Sequence, residues 1–384
     1  MHILTKLNFR GLGIALELGP EKLIQRITDA GLTGRGGAGY PAGKKMEMVR
    51  TAPGMKYLIC NADEGEPGTF KDKFIIEHNP ELVIEGILIA AYAIGSDETY
   101  IYLRGEYAPL KPQLQKAIKK AQPFIEGMPY PVSIDIITGA GAYICGDETA
   151  IIQSLHNSRG HPEYKPPFPA ERGLNDSPTL INNVETLANI PLLLADAKWS
   201  NDLRLVSLSG NVTKPGVYEV MLGTPLKDVI ALGRPAKPIK AIYFGAAGGC
   251  IPYEEHVLLD QADIASRGAM LGSCSIIVVD DSKDLVDLAA DIAKFFEFES
   301  CGKCIPCREG TVRMLELLQK LSLGEATQKD LALLEELAEV VAQTSFCGLG
   351  KSSANHLTTA LRHFRNEFTS KLIAGDTFHE NNHQ

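Results

Sequence analysis

"GLTGRGGAGYPAGKK", residues 31–45, decides how the first half of this chain is read. It holds six glycines, no acidic residue and a closing pair of lysines. Gly34-x-Gly36-x-x-Gly39 satisfies the dinucleotide pattern G-x-G-x-x-G, which carries meaning only after a strand and ahead of a helix. Here it follows residues 21–30 (EKLIQRITDA), where Leu23, Ile24 and Ile27 recur at helical spacing. Pro41 and Gly43 come behind it. Helix, glycine loop, proline is the wrong order for an ordinary Rossmann turn. Two readings stand: a bare backbone whose N–H groups approach a phosphate, or a flexible surface loop.

The 384 residues exceed one typical core, so two or three domains are expected. With 45% hydrophobic and 22% charged residues the chain reads as globular. A net charge of −9 without a basic tract argues against nucleic acid as the main partner. The start, MHILTKLNFRG, lacks the apolar core of a signal peptide. The most apolar run, residues 82–94, is short and contains Glu85, so it reads as a core helix after Asn79-Pro80 and not as a membrane span. A cytoplasmic protein without direct membrane insertion is expected.

Eight cysteines fall into two groups. Cys60, Cys145, Cys250 and Cys274 are scattered, and read as small buried hydrophobes. "ESCGKCIPCREG", residues 299–310, spaces Cys301, Cys304 and Cys307 as C-x2-C-x2-C. Three thiolates on one tight loop and a fourth from elsewhere is the usual iron–sulfur arrangement. Cys347 in "TSFCGLG" is the fourth candidate, with Gly348 and Gly350 letting the backbone turn closely. Residues 311–343 between them carry helical patterning, and a helical hairpin there would return the chain to the first loop. A four-cysteine zinc site is the alternative, since zinc also takes tetrahedral thiolates.

Three further stretches group polar side chains at element ends. In "YLICNADEGEPGTFKDK", residues 57–73, a short buried strand runs into Asn61, Asp63, Glu64 and Glu66. Open α/β sheets bind ligands at the carboxyl ends of strands, and carboxylates there suit hydroxyl and amide groups. In "GAGAYICGDETAIIQSL", residues 139–155, a glycine turn leads into a helix with Asp147 and Glu148 in its first turn. In "KPPFPAERGLNDSPTLINNVET", residues 165–186, Phe168 is stiffened by prolines, and Asn182-Asn183 precede a helix. Each alone also reads as turn or cap chemistry. Together they suggest one nucleotide site built from several loops.

With these segments in view, the chain resembles the NADH-oxidising flavoprotein subunit of respiratory complex I. It is equally similar to the related subunits of soluble NAD-linked hydrogenases, formate dehydrogenases and electron-bifurcating complexes. GRGGAGYPAGKK, CNADEGEPGTFKD, YIYLRGEY, GAGAYICGDETA, KPPFPAERGL, NNVETLANIP, ESCGKCIPCREGT and CGLGKSS with LRHFRNEF occur in the family's order, from about residue 30 to 368. The resemblance implies FMN and one 4Fe–4S cluster as cofactors, with NAD(H) as substrate. Gly34, Arg35, Gly36, Gly37 and Lys45 would then lie by the flavin phosphate and ring. Asn61, Asp63 and Glu64 would hold the ribityl chain or isoalloxazine. Tyr143, Gly146, Asp147, Glu148, Asn182 and Asn183 would complete the FMN site. Glu66 and Glu148 would face the nicotinamide nucleotide, and Tyr40 with Phe168 would pack on adenine. The family usually has phenylalanine at Tyr40, a second aromatic near Met48 and serine at Gly65; its paired glutamates are Asp147-Glu148 here.

Three domains are expected: residues 1–200, an FMN- and NADH-binding α/β unit with a mixed or parallel sheet; residues 201–285, a small β-grasp module; and residues 286–384, a helical cluster-bearing domain. A hydride would pass from NADH to FMN, then single electrons to the cluster, with no side chain needed as acid or base. The family implies partner subunits: a thioredoxin-like 2Fe–2S subunit and a further iron–sulfur or catalytic subunit. The alternative is a reversible NAD+-reducing or electron-bifurcating role in a soluble complex.

Overall fold

The structure, a computed structural model, describes residues 1–373. The chain divides into two compact units. The first comprises Met1–Gly65, Thr69–Ser207 and Val217–Leu222, and the second comprises Glu66–Gly68, Leu208–Gly216 and the residues from Gly223 onward.

The first unit opens with α1 (Arg10–Leu18), α2 (Pro20–Asp29) and α3 (Ala42–Thr51), the glycine loop lying between the last two. There follow β1 (Tyr57–Ala62), α4 (Lys71–His78), α5 (Pro80–Ile94), β2 (Glu98–Leu103), α6 (Lys111–Glu126) and β3 (Ser133–Thr138). Then come α7 (Glu148–Leu155), β4 (Thr179–Asn183) and α8 (Val184–Ala195). Of the two sheet arrangements expected, the parallel one is found. The four strands lie in the order β3-β2-β1-β4, each parallel to its neighbour. Chain order runs outward from β1 to β3, and β4 then returns to the opposite side of β1. The gap between β1 and β4 is therefore the point where the direction of winding reverses, and such a point opens a crevice at the strands' carboxyl ends.

Helix α5 begins at Pro80, whose missing N–H is harmless in a first turn, and stops at Gly95 with φ +79°. It is buried on all sides from Leu82 to Ile94, as an apolar helix of this length requires, and packs against α1, α6 and α8. Gly86 sets its distance from α8, for a Cβ there would lie 2.1 Å from the Leu187 carbonyl oxygen. Glu85 is tolerated inside this helix because its Oε1 accepts the Leu12 N–H at 3.1 Å, supplying a partner to an orphan donor at the start of α1.

The second sheet contains β5 (Leu203–Gly210), β6 (Gly216–Met221), β7 (Ile239–Tyr243), β8 (Cys250–Pro252) and β9 (Ser275–Asp280) in the order β6-β5-β9-β7-β8. Helices α9 (Leu226–Leu232) and α10 (Gln261–Ser266) lie between its strands in sequence. After β9 the described chain is helical: α11 (Leu285–Glu299), α12 (Ile305–Ser322), α13 (Gln328–Thr344), α14 (Gly348–Ser352) and α15 (Asn355–Thr369). The expected hairpin is α12 and α13. Its first helix starts at Ile305, ahead of residue 311, because Pro306 suits a first turn and Cys304 takes the N-cap position. Among the described residues, no helix is long and apolar enough to cross a membrane.

Candidate functional site

Parallel register brings the predicted asparagines together. Asn61 pairs with Asn183 and Cys60 with Asn182, so the amide side chains stand at the carboxyl ends of β1 and β4, where the winding reverses. Asn183 is also the N-cap of α8, its Oδ1 accepting the Glu185 N–H at 3.0 Å. Asn61 Nδ2 donates to the Gly146 carbonyl at 3.0 Å, and its Oδ1 accepts the Asp63 N–H at 3.0 Å. The buried Nδ2 of Asn182 has no hydrogen-bond partner among the described residues. An orphaned donor of that kind costs about 1–3 kcal/mol unless something accepts from it.

The glycine loop lies over the same point. Gly34 N–H donates to the Tyr40 carbonyl at 2.8 Å and Ala42 N–H to Leu32 at 2.8 Å, pinching the loop shut at its base. That closure decides against a free linker. Residues 36–41 between the pinch points are exposed, and a Cβ at Gly36 would stand 3.4 Å from Asn183 Cβ. Gly37 has φ +112° and Gly39 φ +65°, which side chains rarely adopt, and a Cβ at Gly39 would meet nothing within 4 Å. The result is a bare, open backbone cradle above two amide side chains. A flavin and its phosphate fit this donor set, which offers amide groups and unencumbered backbone N–H groups.

Charged residues border the cradle. Lys45 bonds Glu148, and its Nζ also donates to the Ile181 carbonyl at 2.7 Å. Lys165 Nζ lies 3.7 Å from Glu148 and 3.9 Å from Asp147. Asp147 is the N-cap of α7, accepting the Thr149 N–H at 2.8 Å and the Ala150 N–H at 3.3 Å. Tyr143 lies in the short 3-10 turn Tyr143–Gly146. A Cβ at Gly65 would meet its ring at 3.1 Å and the Arg104 guanidinium still closer. Tyr40 is half-exposed with its hydroxyl 3.6 Å from Met48 Sδ, and Phe168 is similarly exposed.

Four predicted residues point elsewhere. Arg35 is buried; its guanidinium donates to Asn201 O at 2.9 Å and Asn201 Oδ1 at 3.2 Å, and its N–H to Thr186 at 2.8 Å. It anchors the loop from below. Glu64 turns inward to the first turn of α4, accepting the Asp72 N–H at 2.9 Å and the Lys73 N–H at 3.0 Å, with the Tyr107 hydroxyl at 3.0 Å. Burial first, and then the Asp72 carboxylate, push its carboxyl up to about 7. Asp63 is deeply buried with Arg104 Nη1 at 3.6 Å. Glu66 belongs to the second unit, where it accepts the Ala247 N–H at 3.0 Å and the Ser273 hydroxyl at 3.2 Å. Lys71 and Glu185, joined at 2.9 Å in the interior of the first unit, were not among the predicted residues. A lysine-aspartate pair opening a helix looks like ordinary surface chemistry until the fold covers it.

In the second unit, Cys304 and Cys347 are the N-cap residues of α12 and α14, and Cys307 lies in the first turn of α12. Arg308 Nη1 holds the intervening loop through Gly302 O at 3.1 Å. A Cβ at Gly350 would lie 2.6 Å from Ser345 Cβ and 3.1 Å from Cys307 Cβ, so only glycine lets this segment close on α12. Cys307 is pushed up to about 11, by burial first; Ser300 opposes this and the neighbouring Cys304, Cys347 and Cys301 add to it. The four thiols thus share one neighbourhood, though among the described residues no three or more His, Cys, Asp or Glu side chains form a closed metal cage. Four thiolates and no histidine suit an iron–sulfur cluster. Cys60, Cys145, Cys250 and Cys274 are buried, as read from their scatter.

Comparison with known proteins agrees with both centres. Residues 27–192 match the Nuo51 FMN-binding domain, residues 205–233 the SLBB domain, and residues 287–371 the NADH-ubiquinone oxidoreductase-F iron-sulfur binding region. The F 2 subunit of NADH-quinone oxidoreductase in Rhizobium meliloti (strain 1021) is 42% identical, over 95% of this chain and 92% of its own. The F subunit of the Aquifex aeolicus (strain VF5) NADH-quinone oxidoreductase is 42% identical over 94% and 88%. The NADP-reducing hydrogenase subunit HndC of Solidesulfovibrio fructosivorans is 36% identical over 95% and 79%. An NAD+-reducing [NiFe]-hydrogenase in the H2-reduced state superposes with a TM-score of 0.90 at 36% identity, covering 97% of this chain but 66% of that one. The chain belongs to the family of NADH-quinone oxidoreductase F subunits, NADH-oxidising electron-transfer flavoproteins that bind FMN and a 4Fe–4S cluster.

Proposed function

We propose that FMN lies in the cradle formed by Gly34, Gly36 and Gly37 over Asn61, Asn182 and Asn183. The observation that carries this is the β1–β4 register, which sets two asparagines under the approach that a side-chain-free loop leaves open. FMN would supply hydride acceptance from NADH and release of single electrons. The chain's own residues bind and orient. Asn182 and Asn61 offer amide groups, the loop offers N–H groups, and Lys45 and Lys165 offset phosphate charge. Tyr40 and Phe168 present exposed ring faces to a base, and Glu148 accepts from ribose hydroxyls. Asp147 serves chiefly as the α7 cap, and Arg35 and Glu64 support the cradle from beneath. Cys301, Cys304, Cys307 and Cys347 would hold the cluster, which relays electrons to a thioredoxin-like 2Fe–2S subunit and a further iron–sulfur or catalytic subunit in the cytoplasm.

Acid extraction of purified chain should release FMN and not FAD, iron should be present without stoichiometric zinc, and NADH should bleach the flavin under anaerobic conditions. FAD in the extract, or colourless zinc protein, overturns the reading. A second reading, a reversible NAD+-reducing role in a soluble hydrogenase, is favoured by the extent of the hydrogenase superposition. Copurification from the native host separates the two: hydrogenase subunits or quinone-reductase subunits accompany the chain.

A further inference from the structure

The first unit buries three carboxylates around one ammonium, a group that hydride and electron transfer do not require. Lys71 is 1% exposed, with its Nζ 2.8 Å from Asp72 Oδ1 and 2.9 Å from Glu185 Oε2. Glu64 joins through the Asp72 N–H, and all three carboxylates are at least nine-tenths buried. Asn183 Nδ2 donates to Asp72, and Asn183 Oδ1 stands 3.4 Å from Lys71. The group therefore ends one side chain below the glycine loop, since Asn183 is also the residue that a Cβ at Gly36 would touch.

Fully ionised, this group would carry two uncompensated negative charges in the interior. Other elements add little: Tyr107 donates to Glu64, Lys73 is exposed, Arg104 is engaged with Asp63 and Glu106, and the Cys60 thiol on β1 stays neutral, raised by burial and by Asp72. Buried carboxylates close to one another respond to such an excess by retaining a proton.

We propose that Glu64 and Asp72 share one exchangeable proton beside Lys71, whose second partner is Glu185, and that this pair takes up a proton when a flavin bound above Asn183 gains negative charge. Glu64, pushed up to about 7 by burial and then by Asp72, titrates where such a response has effect. Asp72 is raised by burial, while Lys71 opposes that rise. Burial alone would lower Lys71; Asp72, Glu185 and Glu64 outweigh it and keep the lysine charged. The balance is simple. A hydride brings two electrons and one proton, leaving the site one negative charge richer, and water supplies the compensating proton to the carboxylates. The proton returns to water as the electrons leave, and these residues neither make nor break a bond to carbon.

The inference rests on the proposed placement of the flavin, and two readouts keep them apart. Infrared difference spectra of the flavin-free full chain across about pH 5 to 9 should show a protonated carboxyl band that titrates near neutrality, persists in Glu85→Gln and is lost in Glu64→Gln. On reduction of the flavin-loaded chain by dithionite near pH 7, an indicator dye should report more protons taken up per flavin in wild type than in Glu64→Gln, by up to about one. Absence of the band, or equal uptake in both proteins, overturns the proposal. If Glu64→Gln does not fold, Asp72→Asn serves in its place, because either substitution removes the shared site. A chain that shows the band but binds no flavin overturns the proposed function and the coupling, leaving the shared proton established.

Discussion

Replacing Glu148 by alanine removes the carboxylate between Lys45 and Lys165 and leaves both cations in place. Lys45 keeps its bond to the Ile181 carbonyl at 2.7 Å, and Lys165 keeps Asp147 at 3.9 Å. Four charges that sum to zero become three that sum to plus one. A phosphate about 4 Å from a lysine gains a gross attraction of about 4 kcal/mol per unit charge at an effective dielectric of about 20. Glu148 is 30% exposed. Solvent screening and the ordering of long side chains reduce the net effect to about 1.5–3 kcal/mol. That corresponds to a shift of roughly ten- to a hundredfold in nucleotide preference. Wild type should therefore prefer NADH strongly, because Glu148, placed as proposed, would accept from a ribose 2′-hydroxyl and repel a 2′-phosphate. In Glu148→Ala the ratio of kcat/KM for NADPH to that for NADH, measured with ferricyanide, should rise by that factor and fall again with added salt. Comparable use of NADPH by wild type, or an unmoved ratio in the mutant, refutes the assignment. Glu148 would then be a helix N-terminal glutamate favoured only by the helix dipole.

The cluster, the core and the buried charges give further tests. Cys304→Ala should abolish the cluster's optical and EPR signals while NADH still reduces the flavin, since the cluster lies downstream; unchanged iron content would show that the ligand set is wrong. Gly86→Ala drives a methyl into the Leu187 backbone, which cannot rotate away, so unfolding by denaturant should show a loss of about 3 kcal/mol or more. A loss below about 1 kcal/mol would mean that α5 and α8 separate easily. Glu85 is pushed up to about 7 by burial, against backbone donors from Leu12, Gly11 and Phe9. Because its folded value lies above the unfolded one of 4.5, the folded state binds more proton between them, and stability falls as pH rises from about 4.5 to 7. Glu85→Gln should flatten that dependence, by about 3 kcal/mol at most, since one pKa unit is about 1.4 kcal/mol. A thermal midpoint whose pH profile matches wild type would count against the buried ionisation.

Much of the local structure was legible in the residues. Periodicity marked the helix before the glycine loop, and Asn79-Pro80 marked the start of the buried α5. The bland alternatives for Asp147 and Asn183 were helix caps, and both residues do cap α7 and α8. Patterns of this kind are read over a few neighbours, and the physics that fixes them, a missing N–H or an orphan donor, acts over the same distance. Cysteine spacing is likewise local in its first three members. Cys347 could be named as the fourth candidate by its glycines and by the helical hairpin that returns the chain, and the close approach of Gly350 to α12 is what brings its segment there.

What the sequence left open depended on partners far along the chain. Arg35 turns to Asn201, 166 residues away, and so anchors the loop from below. Glu64 and Glu66 are two residues apart, yet one enters α4 of the first unit and the other binds Ala247 in the second. An acidic run looks uniformly solvated as a string, because nothing in it states which carboxylate the fold will bury. The register of β1 against β4 decides that Asn61 meets Asn183, and the return of β4 to the far side of β1 decides that a crevice opens there. Residue type set which groups could bind a nucleotide; strand pairing and burial, which only the whole chain can determine, set which of them stand at the crevice and which are buried beneath it.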